Sequence, residues 1–282
     1  KAKRLRVKYI LANRFQKKED SFDLWYQLIN TENGTTVLTN KINEPLNKTT
    51  QMVGMLANEI ITFLGVSTKQ DIMRAPTKNA DAYEYYLKGK HKFKKGETLA
   101  DTKIARDMLQ KAIEIDDELI SVKIQLGETY EKYRDYDNAM EVYKKTLNQS
   151  EKLDDKKNIA ISLRKIGIIY FKRTRDYKQA LDYFIRSLEL SEFINDKSLI
   201  STALNNIGVV YNKQNNKDKS LVYYTRAMKI AEEIDDIYNI GLLARNIGNL
   251  YYQKGDIDKA SAFYNRSHKI DEELGDKSKI DS

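Results

Sequence analysis

Cysteine is absent from this chain, and with it go disulfides, thiol nucleophiles and thiolate-bound zinc. That absence fits a reducing compartment, and the expected location is cytoplasmic. Histidine is nearly as scarce. His91 and His268 stand far apart in sequence, and both are expected on helix surfaces rather than at a metal or a catalytic centre. No apolar run approaches the roughly 20 residues that a membrane-spanning helix needs. An apolar signal core is missing too, and the first residue is Lys1 rather than Met, so Lys1 reads as a fragment boundary. The sequence has no G-x-x-x-x-G-K-[ST] loop, no G-x-G-x-x-G fingerprint and no H-E-x-x-H helix. Carboxylates are plentiful, but each falls in a charged helical run that a solvated face explains. The sequence therefore nominates no catalytic residue, no metal ligand and no cofactor.

What remains is a globular composition, 41% hydrophobic and 32% charged. The net charge of +8 suggests nucleic acid until it is located. Eight basic residues precede the first acid, Glu19, whereas from Thr77 onward 37 basic residues stand against 34 acidic ones. The excess is an N-terminal feature, and nucleic acid is disfavoured as a partner.

Internal repetition dominates the rest. Gly127, Gly167, Gly208 and Gly248 are spaced by 40, 41 and 40 residues. Each is followed three places on by Tyr130, Tyr170, Tyr211 or Tyr251. A small residue comes next (Ala139, Ala180, Ser220, Ala260), then a ring (Tyr143, Phe184, Tyr224, Tyr264), then Thr146, Ser187, Ala227 or Ser267. A degenerate earlier copy places Gly89, Ala105, Leu109 and Ala112 in the corresponding positions. Offsets of three and four put these residues on one helical face. Glycine inside a helix costs about 1 kcal/mol against alanine, so a recurrent one implies close backbone approach. Here the glycine and the small residue are expected to touch, with the rings filling gaps between hairpins. Asp116-Asp117, Asp154-Asp155 and Asp235-Asp236 are expected to cap the following helices.

This pattern resembles the tetratricopeptide repeat over residues 80–275. The period is about 40 instead of the family's usual 34 or so, and the proline that commonly ends each repeat is missing. The resemblance implies a mainly α fold, a right-handed α-solenoid of about five helical hairpins near 83–116, 120–153, 160–193, 201–234 and 241–274.

Residues 1–70 read differently. VKYILANRFQ (7–16), FDLWYQLINT (22–31) and TTVLTNKIN (35–43) predict three strands, with a hairpin turn at Glu32-Asn33-Gly34. Apolar residues at helical spacing from Met52 to Leu64 predict a helix over 48–65, giving a small α/β element. VKYILANRFQ, YQLINTENG and, across a linker at 71–82, RAPTKNADAYEYYLKG are similar in order to part of a TolB-like domain and its link into the repeat array at 83–282. That arrangement is found in the C-terminal region of bacterial class III adenylate/guanylate cyclases. It implies a regulatory part of a signalling protein, with any cyclase residues outside this chain.

In such arrays the first helices of the hairpins line a concave surface. By resemblance, the exposed places lie three and two before the repeat glycine and one, four and five after it. From the second aligned hairpin onward they hold Arg164, Lys165, Phe171, Lys172, Asn205, Asn206, Asn212, Lys213, Arg245, Asn246, Asn249 and Tyr252, besides Ile168, Val209 and Gln253. No acid occurs in this set. Asparagine can hydrogen-bond an extended backbone, and Lys and Arg pair with carboxylates. The expected partner is thus an acidic or carboxylate-bearing peptide segment of a protein. Homo-oligomerisation without a separate ligand is one alternative, and the non-catalytic fragment of an adenylate/guanylate cyclase is the other.

Overall fold

Alternating apolar residues in β2 (Ser21–Asn30) build the first element, because period-two spacing sends Leu24, Tyr26 and Leu28 to one face. β2 is the centre of a three-stranded antiparallel sheet, flanked by β1 (Tyr9–Lys17) and β3 (Thr36–Pro45). Leu24 pairs with Phe15 on one side and Ile42 on the other. Leu24, Tyr26 and Ile42 form the buried core, against which Phe22, Leu38 and Leu56 pack. The structure is a computed structural model that describes residues 9–30, 33–45, 56, 79–96 and 98–278. The three expected strands are present within two residues of their expected ends, and Gly34 takes a positive φ of 72° at the turn. The helix expected over 48–65 lies outside the described residues except at Leu56.

The chain divides into two units, 1–125 and 126–282. The first also holds the degenerate hairpin, α1 (Ala80–Lys95) and α2 (Leu99–Ile115). Ala105, Leu109 and Ala112 are fully buried there. A Cβ on Gly89 would meet Leu109 Cγ at 2.9 Å, so Leu109 sits where the later repeats carry a ring. Thr98 and Asp101 close a reciprocal capping box at the start of α2.

α3 (Ile120–Lys132) leads into the second unit, with α4 (Tyr136–Lys152), α5 (Lys156–Ile169) and α6 (Tyr177–Phe193). α7 (Lys197–Lys213), α8 (Lys217–Glu233), α9 (Ile237–Lys254) and α10 (Ile257–Ser278) complete it. Consecutive helices pair as hairpins, and from α6 through α9 one continuous core joins neighbouring hairpins, from Phe184 through Leu204 and Tyr224 to Leu250. This is a stacked solenoid, in which no hairpin buries its apolar face alone.

The repeated residues each have a visible task. A Cβ on Gly167 would lie 2.7 Å from the Phe184 ring, and one on Gly208 would lie 2.6 Å from Tyr224. The rings therefore sit on the glycines inside the hairpin, rather than only in the gaps between hairpins as expected. The small residues do touch the first helix, since Ser220 Oγ donates to the Gly208 carbonyl at 2.8 Å. The tyrosines three places on stack against a second ring: Tyr170 on Tyr183, Tyr211 on Tyr223 and Tyr251 on Phe263, at 5.4, 5.4 and 5.8 Å.

The connectors divide their labour. Asp154 and Asp235 take φ of 49° and 52° and end one helix, while Asp155 and Asp236 accept from the N–H groups of Asn158 and Asn239 and begin the next. Asp116-Asp117 behaves otherwise: Asp116 Oδ1 accepts from the Glu118 N–H, and Asp117 pairs with Lys123.

Candidate functional site

The interval from repeat glycine to small residue is 12 in three aligned copies and 13 between Gly167 and Ala180. The extra residue is absorbed as a π-helical turn, Tyr170–Thr174, continuing α5. Phe171 and Lys172 lie on that turn. Of the other residues proposed from the sequence, Arg164 and Lys165 are on α5. Asn205, Asn206, Asn212 and Lys213 are on α7, and Arg245, Asn246, Asn249 and Tyr252 are on α9.

Lys165 and Asn205 are buried, each 8% exposed. Arg164, Phe171, Asn206, Asn212 and Asn246 are half-buried, and Lys172, Lys213, Arg245, Asn249 and Tyr252 are exposed. Phe171 packs its ring 5.7 Å from Tyr177.

Three of the five cations already have carboxylates. Lys165 Nζ lies 2.5 Å from Glu128 and 3.9 Å from Glu131, and Lys172 Nζ lies 2.7 Å from Glu131. Glu131 also accepts from the Tyr143 hydroxyl at 3.3 Å, and burial next to Glu131 and Glu128 pushes that phenol well above its usual range. Arg245 donates to Asp271 of α10 at 2.9 Å. These partners stand on α3 and α10, outside the acid-free places of α5, α7 and α9 on which the expected surface is drawn. Adding the 40-residue repeat length to Glu131 gives Phe171, one residue short of Lys172, which stands 41 residues from Glu131.

The asparagines form a second pattern. Asn246 Nδ2 donates to Asn205 Oδ1 at 2.9 Å, joining α9 to α7. Asn249 Oδ1 accepts from the Tyr264 hydroxyl at 2.7 Å. One hairpin earlier, the same two repeat positions are Arg164 and Asn206. There Arg164 Nε and Asn206 Nδ2 are buried nitrogens without a hydrogen-bond partner. Burial draws the Arg164 guanidinium below its usual value against the pull of Glu128 and Glu131, so this is a poorly solvated cation. Among the described residues, Lys213 makes no ion pair or hydrogen bond through its side chain. From α5 to α9 the strip is thus rich in donors, several of them unused.

No metal-holding group of His, Cys, Asp or Glu occurs among the described residues, and His91 and His268 are exposed on helices. No helix among the described residues is long and apolar enough to cross a membrane.

A family model described as "Tetratricopeptide repeat" matches residues 118–192, 172–233 and 199–273, together more than half of the chain. A search of curated proteins finds no match. Among solved structures, BtubC (BKLC) from P. vanneervenii is similar with 20% identity and a TM-score of 0.58, over 82% of this chain and 89% of that one. A Rap protein complexed with Competence and Sporulation Factor is similar with 17% identity and a TM-score of 0.61, over 82% and 62%. Aspartyl phosphate phosphatase F from Bacillus subtilis is similar with 18% identity and a TM-score of 0.58, over 70% and 52%. At these identities the likeness is one of fold.

Proposed function

This chain belongs to the tetratricopeptide repeat family, and from that premise we propose that its first helices hold an extended, acidic or carboxylate-bearing peptide segment of a protein. Repeats of this family in general mediate protein–protein interaction or scaffolding, and the fold is typically non-catalytic. The observation that carries the finer reading is the pair of buried, unpartnered donors, Arg164 Nε and Asn206 Nδ2, together with Lys213 on α7, which is exposed and has no ion pair among the described residues. An unmet buried donor costs about 1–3 kcal/mol, which a carboxylate or a backbone carbonyl arriving there would recover.

Calorimetry with a panel of extended peptides tests this reading. Each acidic peptide is paired with its Gln/Asn counterpart, and the acidic member should bind more tightly. Lys213→Glu should weaken it, and the loss should shrink as salt rises. Equal binding of both members of every pair would refute the reading.

On the resemblance of VKYILANRFQ, YQLINTENG and RAPTKNADAYEYYLKG alone, we assign 1–70 to a TolB-like element, 71–82 to a linker and 83–282 to the array of a cytoplasmic signalling protein. A cyclase assay of the protein purified from its natural source tests that link. Self-association is the second reading, favoured by edge strand β1, which exposes Ile10, Leu11 and Phe15. Light scattering separates it from the first.

A further inference from the structure

Glu128 and Glu131 occupy the places one and four after Gly127. The later copies have Ile168 and Phe171, Val209 and Asn212, Asn249 and Tyr252 there. The one aligned copy with acids at these places directs both onto the cations of the next hairpin. Glu131 is 12% exposed in its side chain and is held by three groups: Lys172, Lys165 and the Tyr143 hydroxyl. Lys172 reaches it from the π-helical turn, where the extra residue of the 41-residue interval is absorbed. Nothing comparable occurs at α7, where Lys213 is exposed and without an ion pair among the described residues.

We infer that Glu131, with Glu128, is an intramolecular occupant of the first cation subsite, and that it sets the register of an acidic ligand by excluding it from the α3–α5 rung. The inference rests on the peptide-binding reading above and adds a specificity-determining residue to it. An acidic segment arriving at α5 meets two lysines already neutralised by carboxylates in contact with them. At α7 it meets a cation with no competitor and a buried amide N–H with no acceptor. Charge-assisted contacts are the strong ones, so the ligand settles where they are unclaimed.

Glu131→Gln keeps the shape and an acceptor for Tyr143 but removes the charge, which releases Lys172 while Glu128 still holds Lys165. The probe is fluorescein-labelled octaglutamate, titrated by anisotropy into the full chain at low salt. One exposed cation of ordinary strength should tighten binding by about 1.5- to five-fold. That gain should vanish when Lys172→Met is added, and it should shrink with salt. Lys213→Glu should also hurt less in the Glu131→Gln background, because the probe can then move one rung towards α3.

A loss of helical signal in Glu131→Gln would pass the decision to Glu128→Gln, which releases Lys165 alone and should give a smaller gain. Unchanged or weaker binding by the folded variant, while Lys213→Glu still weakens the wild type, overturns the inference and leaves the peptide-binding reading standing. A gain that survives Lys172→Met also overturns it, since loosening rather than a released cation would then be the cause. Binding that ignores Lys213, Asn206 and Glu131 alike removes both.

Discussion

Asn246 Nδ2 donates to Asn205 Oδ1 across 2.9 Å, and this amide pair joins two residues one repeat apart. Its counterpart one hairpin earlier, Asn206 with Arg164, has donors without acceptors. The same two places in one repeat pattern thus serve as glue at one interface and are left open at the next. Such a difference is what a binding strip needs, because a ligand can gain only from groups that the fold has not already satisfied.

The two asparagines should therefore respond differently to alanine. Asn246→Ala leaves Asn205 Oδ1, on a residue only 8% exposed, without its partner. It should cost about 1–3 kcal/mol of stability. Asn206→Ala removes a buried nitrogen that has no partner, so stability should hold or rise while peptide binding weakens. Urea unfolding followed by circular dichroism, with the titration above, measures both. Equal stability losses would mean that the two interfaces are not distinguished in this way.

Gly208→Leu addresses the ring-on-glycine contact. A Cβ there would stand 2.6 Å from the Tyr224 ring, which is 1% exposed. Overpacking of this kind costs about 1–3 kcal/mol, so the denaturation midpoint should fall. Gly275, whose Cβ would meet nothing within 4 Å, is the control position. A midpoint unchanged by Gly208→Leu would show that the helices separate there without strain.

Much of this was legible in the sequence for a physical reason. Repeat positions are fixed by one packing problem solved again in each copy, so Gly, ring and small residue recur and announce themselves. Period-two alternation likewise exposed β2, while β-forming composition and the hairpin turn marked its neighbours. The helix ends were half-visible: Asp155 and Asp236 cap as expected, but the role of Asp154 and Asp235 as positive-φ residues is a backbone fact without its own composition signal. The π-helical turn left a trace, the interval of 41, which spacing alone could not convert into geometry. Ion pairs between hairpins were the least legible part. Lys172 and Glu131 meet only because the stack brings residues 41 apart together, and each looks like a surface charge on its own helix.

The turns offer a stabilising change. Arg134 takes φ of 61° between α3 and α4, at the place that Gly255 occupies with φ of 81° between α9 and α10. A left-handed conformation costs a non-glycine residue about 1–2 kcal/mol, partly offset by the entropy that glycine loses on folding. Arg134 is exposed, so little else is lost on replacing it. Arg134→Gly should raise stability by up to about 1 kcal/mol, and Gly255→Arg should lower it by a similar amount. A fall in the midpoint of Arg134→Gly would contradict the assignment of strain to that residue.

The sheet should respond to acid through a single buried carboxylate. The Asp23 side chain is 1% exposed and lies 2.7 Å from Lys18 and 3.2 Å from Lys41, and Asn43 Nδ2 donates to it at 2.5 Å. The Lys18 ammonium, then Asn43 and Lys41, hold its pKa down at about 2, against a usual value of 3.8. A carboxylate whose pKa is lower folded than unfolded binds protons more readily in the unfolded chain. Its contribution is therefore complete above about pH 4 and disappears as pH falls through about 2. Trp25 is the single tryptophan, with Lys41 Nζ 4.8 Å from its ring centroid, so its fluorescence reads this sheet while circular dichroism is dominated by the helices. Wild-type and Asp23→Asn chains should then differ in Trp25-detected stability at pH 7, and the difference should close between about pH 4 and pH 2. Asp101, Asp196 and Asp218 are also held down by their partners, but they lie on or beside helices and act equally in both chains. If the two Trp25 curves stay parallel down to pH 2, the Lys18–Asp23–Lys41 arrangement does not stabilise the sheet.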